Sequence, residues 1–360
     1  MAGSEATECH WRALNRKGIA ISPTPTGPTG DSPLAQRLKL STASGSSVSV
    51  TPTVSLVIPA YNEEDSIVRL LESIVAQRTQ PTEAILVDAG STDRTVQLAE
   101  AFAGRLPLRI LRRERLNPGE ARNAGAAEAG CDWIAFTDAG IELDPSWLSA
   151  LCAEMTSDAE VVLGSYDPSC PTWFARAAAL AYVPARSEGG IRGPAVPSMA
   201  IRRDLFRSLP GFPPHRAAED LMFFDMLRAR RAIMRHAPGA IARWELAPTF
   251  GSTFRRFASY SQINLRAGYG RHWHLGLLRQ YAVVCAAAIL LSALASPWLA
   301  LVILPFWFLA RALRAGWHKR GDLPFDTLRP STLFEAAVVL LVIDVATWVG
   351  TYRYWRARHL

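Results

Sequence analysis

The feature that constrains this chain most is a run of thirty residues without a charge, from Tyr281 to Ala310. A helix crosses the hydrocarbon core of a bilayer with about 20 apolar residues, so this run can enter a membrane. As one helix it would be about 45 Å long, and Pro297 stands near its middle. Two arrangements follow: a single tilted or kinked span, or a re-entrant hairpin that turns at Ser296 and Pro297. A core hairpin of a soluble protein is disfavoured, because core helices seldom run this long without a polar face.

A second apolar stretch, Leu333 to Gly350, contains Glu335 and Asp344. It either spans the membrane, lies in the interface or packs on the first stretch. Basic residues flank both stretches, so the positive-inside rule does not choose an orientation. A hairpin keeps both flanks of the first stretch on the cytoplasmic side, where these charges are favoured, and we therefore prefer it. Residues 281–360 are thus predicted to form a membrane region with apolar segments 281–310 and 333–350.

The first 53 residues have a different composition, rich in Ser, Thr, Pro and Gly. Such a segment buries too little apolar surface to offset chain entropy, and we predict a disordered tail. No apolar stretch follows its basic residues, so we expect no cleavable signal and a cytoplasmic start. The five cysteines show no metal-ligand spacing and favour a reducing compartment. The net charge of +7 suits an anionic partner.

Residues 54–250 alternate short β-branched runs with helical patterns, which is typical of an α/β fold with a mostly parallel sheet. Strands are predicted at 54–58, 84–87, 108–111, 133–137 and 161–166, and helices at 66–76, 95–102, 120–129 and 145–155. In open parallel sheets, ligands bind beyond the carboxyl ends of the strands. The residues directly after each strand are therefore the candidates for a site.

Acidic residues follow three of these strands. PAYNEE follows the first strand, DAGSTD the second and TDAG the fourth. Asp93 opens a helix, where capping is the simpler role. Asp88 and Asp138 are each followed by a turn that lets a ligand approach the backbone, so we expect both to contact a ligand.

Taken in order, VSLVIPAYNEE, LVDAGSTDRT, GEARNAG, FTDAG and AED resemble the motifs of family 2 glycosyltransferases. The resemblance covers roughly residues 54–244 and depends on five ordered motifs, each of them weak alone. It implies a GT-A fold, a Rossmann-like α/β domain that is followed here by C-terminal membrane helices. It also implies a nucleotide-diphosphate sugar donor, a divalent cation on the pyrophosphate, and inversion at the anomeric carbon by a carboxylate base.

The resemblance also implies roles for the first two strand ends. The first loop, with Pro59, Ala60, Tyr61 and Glu63, resembles the part of the family that binds the nucleoside. Asp88 resembles the acid that contacts the base.

The next two motifs concern the diphosphate. Arg122 and Asn123 in GEARNAG match the family's next nucleotide-side motif, and an arginine beside a Gly-rich helix start suits a pyrophosphate on physical grounds. Asp138 matches the metal-binding acid, but Gly140 replaces the second acid of the family's Asp-x-Asp. One carboxylate, two phosphate oxygens and waters can still complete the shell of Mg²⁺ or Mn²⁺. Metal binding therefore either rests on Asp138 or is lost.

The catalytic base is expected at Glu219 and Asp220, which open a helix after a loop rich in Pro and Gly. Both acids could simply favour the positive N-terminus of that helix. The resemblance makes Asp220 the general base and Glu219 a support for acceptor or loop geometry. It also places Ser198 and Met199 in the pocket wall, whereas Trp244 is expected to pack.

Residues 251–280 combine arginines with aromatic residues, which suits a membrane interface. The neighbouring apolar run makes lipid headgroups a better partner than nucleic acid. The Gln-x-x-Arg-Trp motif of processive synthases is absent, and at most about three spans are too few to enclose a polymer channel. We therefore expect transfer of single sugar residues.

Together these features predict an inverting, hexosyltransferase-type enzyme of the inner membrane with a cytoplasmic catalytic domain. Its partners would be a nucleotide-sugar donor, membrane lipids and a lipid-linked or membrane-proximal acceptor in envelope polysaccharide or glycolipid synthesis. Two alternatives stay open. A nucleotidyltransferase would share the α/β core but release pyrophosphate, and Gly140 is compatible with a catalytically inactive scaffold.

Overall fold

The computed structural model describes residues 52–214, 218–296 and 298–359. The predicted disordered tail, residues 1–53, lies outside the described residues except at its last two positions. The first elements alternate strands and helices as predicted. They are β1 (Val54–Ala60), α1 (Ile67–Val75), β2 (Glu83–Asp88), α2 (Thr95–Glu100), β3 (Leu108–Arg112), α3 (Pro118–Ala127), β4 (Trp133–Phe136), β5 (Ile141–Leu143) and α4 (Trp147–Ala153).

The second part of the α/β region contains strands that the sequence patterns did not reveal. Its elements are β6 (Val161–Ser169), α5 (Trp173–Tyr182), a 3₁₀ turn (Val196–Ser198), β7 (Met199–Arg202), α6 (Arg203–Arg207), α7 (Glu219–Ala229) and β8 (Met234–Glu245). Four helices complete the described chain: α8 (Phe250–Arg266), α9 (Gly270–Leu294), α10 (Leu299–His318) and α11 (Pro330–His359).

The eight strands of the described residues form one mixed sheet in the order β3-β2-β1-β4-β7-β6-β8-β5. Four of the seven pairings are parallel, and β7 runs antiparallel to both of its neighbours. The strand order reverses at β1, which lies between β2 and β4. This reversal places a crevice at the carboxyl ends of β1, β2 and β4, where ligands bind in open α/β sheets. The predicted α/β class with a mostly parallel sheet is confirmed.

Alternate residues of β1 serve the two faces of the sheet, as the two-residue period of a strand requires. Leu56 and Ile58 join the apolar cluster under α1, whereas Val57 joins the cluster under α3 and α7. Close packing at Gly125 sets the height of α3 above the sheet. A Cβ atom at Gly125 would lie 2.5 Å from Cγ1 of Val57. This contact holds the C-terminal half of α3 close to the sheet.

The uncharged run is divided between two helices, because α9 ends at Leu294 and α10 begins at Leu299. The two helices contact each other. Two described helices are long and apolar enough to cross a membrane, Trp273–Leu294 and Pro330–Arg358. Length and composition alone do not establish a span, since core helices of soluble proteins meet the same criterion. The apolar segment 333–350 lies within α11.

Candidate active site

A cavity of about 1210 Å³ opens at the crevice between the strand ends. Its floor comes from the residues that follow β1, β2 and β4, and its side comes from α3 and the start of α7. The site residues predicted from the sequence that line it are Pro59, Ala60, Tyr61, Glu63, Arg122, Asp138, Glu219 and Asp220. Asp138 and Asp220 thus face one cavity, although they are far apart in the chain.

Arg122 is the centre of the site's charge network. Its guanidinium is buried, and it donates hydrogen bonds to Asp138 Oδ1 at 2.7 Å and to Glu219 Oε1 at 2.9 Å. Burial lowers the pKa of Arg122, but attraction to the two carboxylates outweighs burial, so the net shift is upward. The arginine therefore stays charged and ties α3, the loop after β4 and the start of α7 together.

For the two acids at the start of α7, Glu219 and Asp220, burial has a larger effect on the pKa than the nearby charges have. Burial raises the pKa of Glu219 and of Asp220, and in both cases the opposing attraction of Arg122 is smaller. Asp220 Oδ1 accepts a hydrogen bond from the amide of the next residue, Leu221, at 2.8 Å. Within the described residues, no side chain donates to its carboxylate. A half-buried carboxylate with a raised pKa and a free oxygen is suited to accept a proton.

Backbone strain accompanies this acid pair. Ala218, which precedes Glu219, lies in the left-handed region with φ of 68°. This conformation costs a residue with a Cβ atom about 1–2 kcal/mol, and such strain is concentrated at functional sites. Here it turns the chain so that α7 begins with both carboxylates at the cavity.

The first loop supplies a third carboxylate and an exposed ring. Ser66 donates to Glu63 Oε2, and burial raises the pKa of Glu63, with Asp138 adding to the rise. Asn62 lies in the left-handed region, and its side chain accepts from the amide of Thr92 at 2.9 Å. This bond joins the loops after β1 and β2. Tyr61 is 54% exposed at the rim, where its ring is available to a flat ligand.

Two predicted nucleotide contacts do not line the cavity. Asn123 donates to the carbonyl of Phe212 and accepts from its amide, both at 2.8 Å, so its side chain holds the loop before α7. Successive helix residues point in different directions, so only Arg122 of this pair faces the cavity. Asp88 is buried and accepts from the amide of Ser91 at 3.1 Å. It shapes the turn whose residues line the cavity.

The predicted pocket wall lies two residues earlier than expected. Ser198 and Met199 are fully buried, and Ser198 accepts from Trp147 and donates to the carbonyl of Ala240. The cavity is instead lined by Val196 and Pro197. Trp244 packs edge-on against Tyr166 and Tyr182, in agreement with its predicted packing role.

Helix α8 contributes residues that the sequence reasoning missed. Tyr260 and Asn264 line the cavity, although their segment was interpreted as a membrane interface. Burial raises the pKa of Tyr260, so its hydroxyl is protonated at neutral pH. The i, i+4 spacing of two polar side chains that can form hydrogen bonds was the available signal, because it places both on one face of the helix. The loop after β3 adds Glu114 and Arg115.

The charge of the lining bears on whether a metal ion fits. Among the described residues that line the cavity, six carboxylates oppose two arginines. No group of three His, Cys, Asp or Glu side chains in the described residues is arranged to hold a metal by itself. Asp138 is partly exposed, and Arg122 occupies only its Oδ1. Asp138 therefore fits as one ligand of a cation whose remaining ligands are phosphate oxygens and water.

The chain matches a known family over slightly less than half of its length. The sequence profile described as Glycosyl transferase family 2 matches residues 55–221. Validoxylamine A glucosyltransferase of Streptomyces hygroscopicus subsp. limoneus is 34% identical over 129 residues, which are 33% of this chain and 28% of that protein. Succinoglycan biosynthesis protein ExoO of Rhizobium meliloti is 42% identical over 98 residues, which are 27% of this chain and 28% of that protein. The matches thus span less than a third of these relatives.

A solved structure extends the likeness of fold over most of the chain. It is the mannosyltransferase PcManGT from Pyrobaculum calidifontis in complex with GDP-Man and Mn²⁺. The match covers 95% of this chain and 94% of that one, with 19% sequence identity and a TM-score of 0.50. The predicted GT-A fold is confirmed by this likeness together with the sheet order.

Proposed function

We propose that the protein is a family 2 glycosyltransferase, as the profile match over residues 55–221 supports, and that it transfers a sugar from a nucleotide-diphosphate sugar to an acceptor hydroxyl with inversion. One observation carries the proposal. Asp220, whose pKa is raised and whose carboxylate receives no side-chain hydrogen bond from the described residues, lines the same cavity as Asp138 and the loops after β1 and β2. A base and a nucleotide-binding floor therefore face a common space.

In the proposed reaction, Asp220 accepts the proton of the acceptor hydroxyl as that oxygen attacks the anomeric carbon. The new bond joins the acceptor oxygen to this carbon, and the bond between the carbon and the β-phosphate oxygen breaks. The nucleoside diphosphate leaves with the bonding electrons. Attack from the side opposite the leaving group inverts the configuration, and the proton remains on Asp220 until solvent removes it.

Donor binding must overcome the negative charge of the lining. A divalent cation held by Asp138 would supply the positive charge that the diphosphate needs, and the solved mannosyltransferase is in complex with both GDP-Man and Mn²⁺. Arg122 keeps Asp138 and Glu219 in fixed positions rather than meeting the diphosphate with an unpaired charge. We assign the exposed ring of Tyr61 to the base, and the turn shaped by Asp88 to the nucleoside.

We further propose a lipid-linked or membrane-proximal acceptor on the cytoplasmic face of the inner membrane, with one sugar added in each reaction. The acceptor side of the cavity is lined by Tyr260 and Asn264, and their helix packs against α11 beside the apolar hairpin. A relative that acts in succinoglycan biosynthesis supports a role in polysaccharide synthesis.

The test incubates membranes that contain the protein with radiolabelled UDP and GDP sugars, followed by lipid extraction. We expect labelled lipid from the parent protein and none above background from Asp220→Asn. Asp204→Asn is the matched control, because Asp204 is an exposed acid in the first turn of a helix away from the cavity. Near-normal transfer by Asp220→Asn would refute its role as the base. Released pyrophosphate would indicate a nucleotidyltransferase, and no product from any donor would favour a scaffold.

The metal is tested separately. After treatment with EDTA, we expect transfer to be lost and then restored by Mn²⁺ or Mg²⁺. Undiminished transfer in EDTA would remove the cation from the mechanism, while leaving the assignment of Asp220 intact.

A further inference from the structure

The hairpin formed by α9 and α10 has a bare apolar tip. Between residues 282 and 306, no described side chain is buried. Ile289, Leu294 and Trp298 are each more than 70% exposed. Burial resumes only at Phe308 and Ala312 on α10 and at Leu277 on α9. Such a continuous apolar surface requires a partner, because a patch of this size is not left in water.

The length of the tip limits how deep it can reach into a bilayer. Tyr281 packs edge-on against Trp307 and Trp348, so this ring cluster marks the base of the projecting part. From Tyr281 to Leu294 the helix rises about 20 Å at 1.5 Å per residue. The hydrocarbon core of a bilayer is about 30 Å thick. The tip can therefore reach slightly past the middle of a bilayer, but it is too short to cross the hydrocarbon core.

Helix α11 has the composition of a span but packs on the catalytic domain. Its buried residues share two apolar clusters with α5, one that includes Leu180 and Leu340 and one that includes Phe174 and Ile343. Ser261 of α8 donates to the carbonyl of Thr347 at 2.8 Å. Gly350 lies so close to Ala258 that a Cβ atom would clash. From Leu340 to Gly350, these contacts with the catalytic domain run along about 15 Å of the helix.

These contacts prevent α11 from crossing a membrane. Tyr260, the neighbour of Ser261, lines the cavity with its six carboxylates. If Thr347 lay in hydrocarbon, this charged cavity would lie at the same depth, where ionised groups are strongly disfavoured. The connection before α11 also stays with the catalytic domain, because Asp322 pairs with the buried Arg192 at 2.5 Å. Both ends of the apolar part of α11 are therefore held on one side.

The outer face of α11 is apolar in a single stripe. Its exposed large side chains recur at helical spacing and end in two aromatic residues: Phe334, Leu341, Val345, Tyr352 and Trp355. The stripe lies opposite the face of α11 that packs on the catalytic domain, so it can face the apolar side of a membrane interface. Arg311 of α10 donates to Asp344 in the middle of α11 at 2.5 Å, and Tyr281 of α9 donates to the same carboxylate at 3.1 Å. The base of the hairpin is thereby fixed to α11.

We propose that this protein is held in a single leaflet: the tip, residues 282–306, inserts among the acyl chains to about the bilayer midplane, and α11 lies in the interface without crossing. The occupant of the apolar tip is phospholipid. Arg279, Arg314 and Arg320 are exposed near the base of the hairpin, at the depth of anionic headgroups. The proposal does not depend on the sugar-transfer chemistry.

The first test asks on which side of the membrane each segment lies. It uses full-length protein in phospholipid vesicles, in which Cys9 and Cys285 are replaced by serine; Cys285 is exposed. Arg358→Cys marks the end of α11, Ser296→Cys marks the tip, and Glu100→Cys on the catalytic domain is the control. We expect an impermeant maleimide added outside intact vesicles to label Arg358→Cys and Glu100→Cys equally in outward-facing protein. A fluorophore on Ser296→Cys should be quenched most by a lipid with its quencher at the acyl-chain end.

Two outcomes would overturn the proposal. Labelling of Arg358→Cys only from the side opposite to Glu100→Cys would show that α11 crosses. Labelling of Ser296→Cys by an impermeant reagent on that opposite side would show that the hairpin crosses.

The lipid occupant is tested by vesicle sedimentation. The double variant Ile289→Asp and Leu294→Asp should bind vesicles of phosphatidylethanolamine and phosphatidylglycerol more than tenfold more weakly than the parent, because charges in hydrocarbon are disfavoured. Val68→Asp, at an exposed apolar residue of the catalytic domain, should bind as the parent does. Unchanged vesicle binding by the double variant would refute the proposal. A change from dimer to monomer without loss of vesicle binding would assign the tip to a second copy of the chain instead.

Discussion

Removal of the charge of Arg122 should destabilise the protein more than any neutral substitution on its carboxylate partners. In Arg122→Met, Glu219 would keep a side chain that is only 10% exposed and lose its countercharge. Asp138 would also lose its partner, but its side chain is 34% exposed and water can compensate. Most of the lost stability therefore comes from Glu219, the more buried of the two acids.

The magnitude follows from this difference in exposure. Breaking a buried ion pair by removing one partner costs about 3–5 kcal/mol, whereas exposed pairs contribute less than about 1 kcal/mol. Counting the contact with Glu219 as buried and discounting the contact with Asp138, we expect Arg122→Met to lower the free energy of unfolding by about 3 kcal/mol. For a domain of this size the melting temperature would fall by about 6 °C.

A double-mutant cycle isolates the pair. Glu219→Gln removes the carboxylate's charge, so Arg122→Met combined with Glu219→Gln leaves no unpaired charge in the buried contact. We expect the double variant to recover about 2 kcal/mol relative to Arg122→Met, measured by thermal unfolding of the purified full-length proteins in one detergent. Strictly additive effects, or an Arg122→Met protein that melts within 1 °C of the parent, would refute this account of the network.

Three further predictions concern the base, the packing of α3 and the acceptor side. Because Asp220 must be ionised to act, kcat/KM should rise as pH increases through its raised pKa. A carboxyl with a raised pKa destabilises the folded protein above that pKa, so Asp220→Asn should lose activity but melt at an equal or higher temperature at pH 7. A lower melting temperature for this variant would contradict the assignment of a raised pKa to Asp220. Gly125→Ala should cost about 1–3 kcal/mol in thermal unfolding and lower kcat, since its Cβ atom would meet the sheet at 2.5 Å, whereas Gly104→Ala, with open space around it, should behave as the parent. Tyr260→Phe and Asn264→Ala should raise KM for the acceptor several-fold in steady-state kinetics and leave KM for the donor unchanged; an equal rise in both would place them on the donor side.

The strand ends show how far local patterns lead. The β-branched runs and the turns after them predicted β1, β2 and β4 and the acids that follow them, because side-chain periodicity and turn chemistry act within a few residues. Strand β8 was not predicted, since Pro238 and Gly239 interrupt its run and weaken strand propensity. It forms because β6 and β5 supply neighbours on both sides.

The charge network shows where local patterns end. The sequence predicted Arg122 to meet a diphosphate, whereas in the structure it is paired with Glu219, which lies 97 positions later in the chain. The pairing depends on the height of α3, on the left-handed turn at Ala218 and on Asn123 holding the loop before α7. Each of these is a contact between distant segments, so no window of the sequence contains it.

By itself, the sequence determined the alternation of strands and helices, the positions of the acids after them, and the existence of an apolar surface at the C-terminal end. These follow from periodicity, turn residues and charge, which act locally. Only the tertiary structure decided which side chains share the cavity and which apolar segments stay exposed. Tyr260 lies in the site and Thr347 lies against its helix because burial of apolar area and pairing of buried polar groups are satisfied between distant segments, whose partners are selected by the fold.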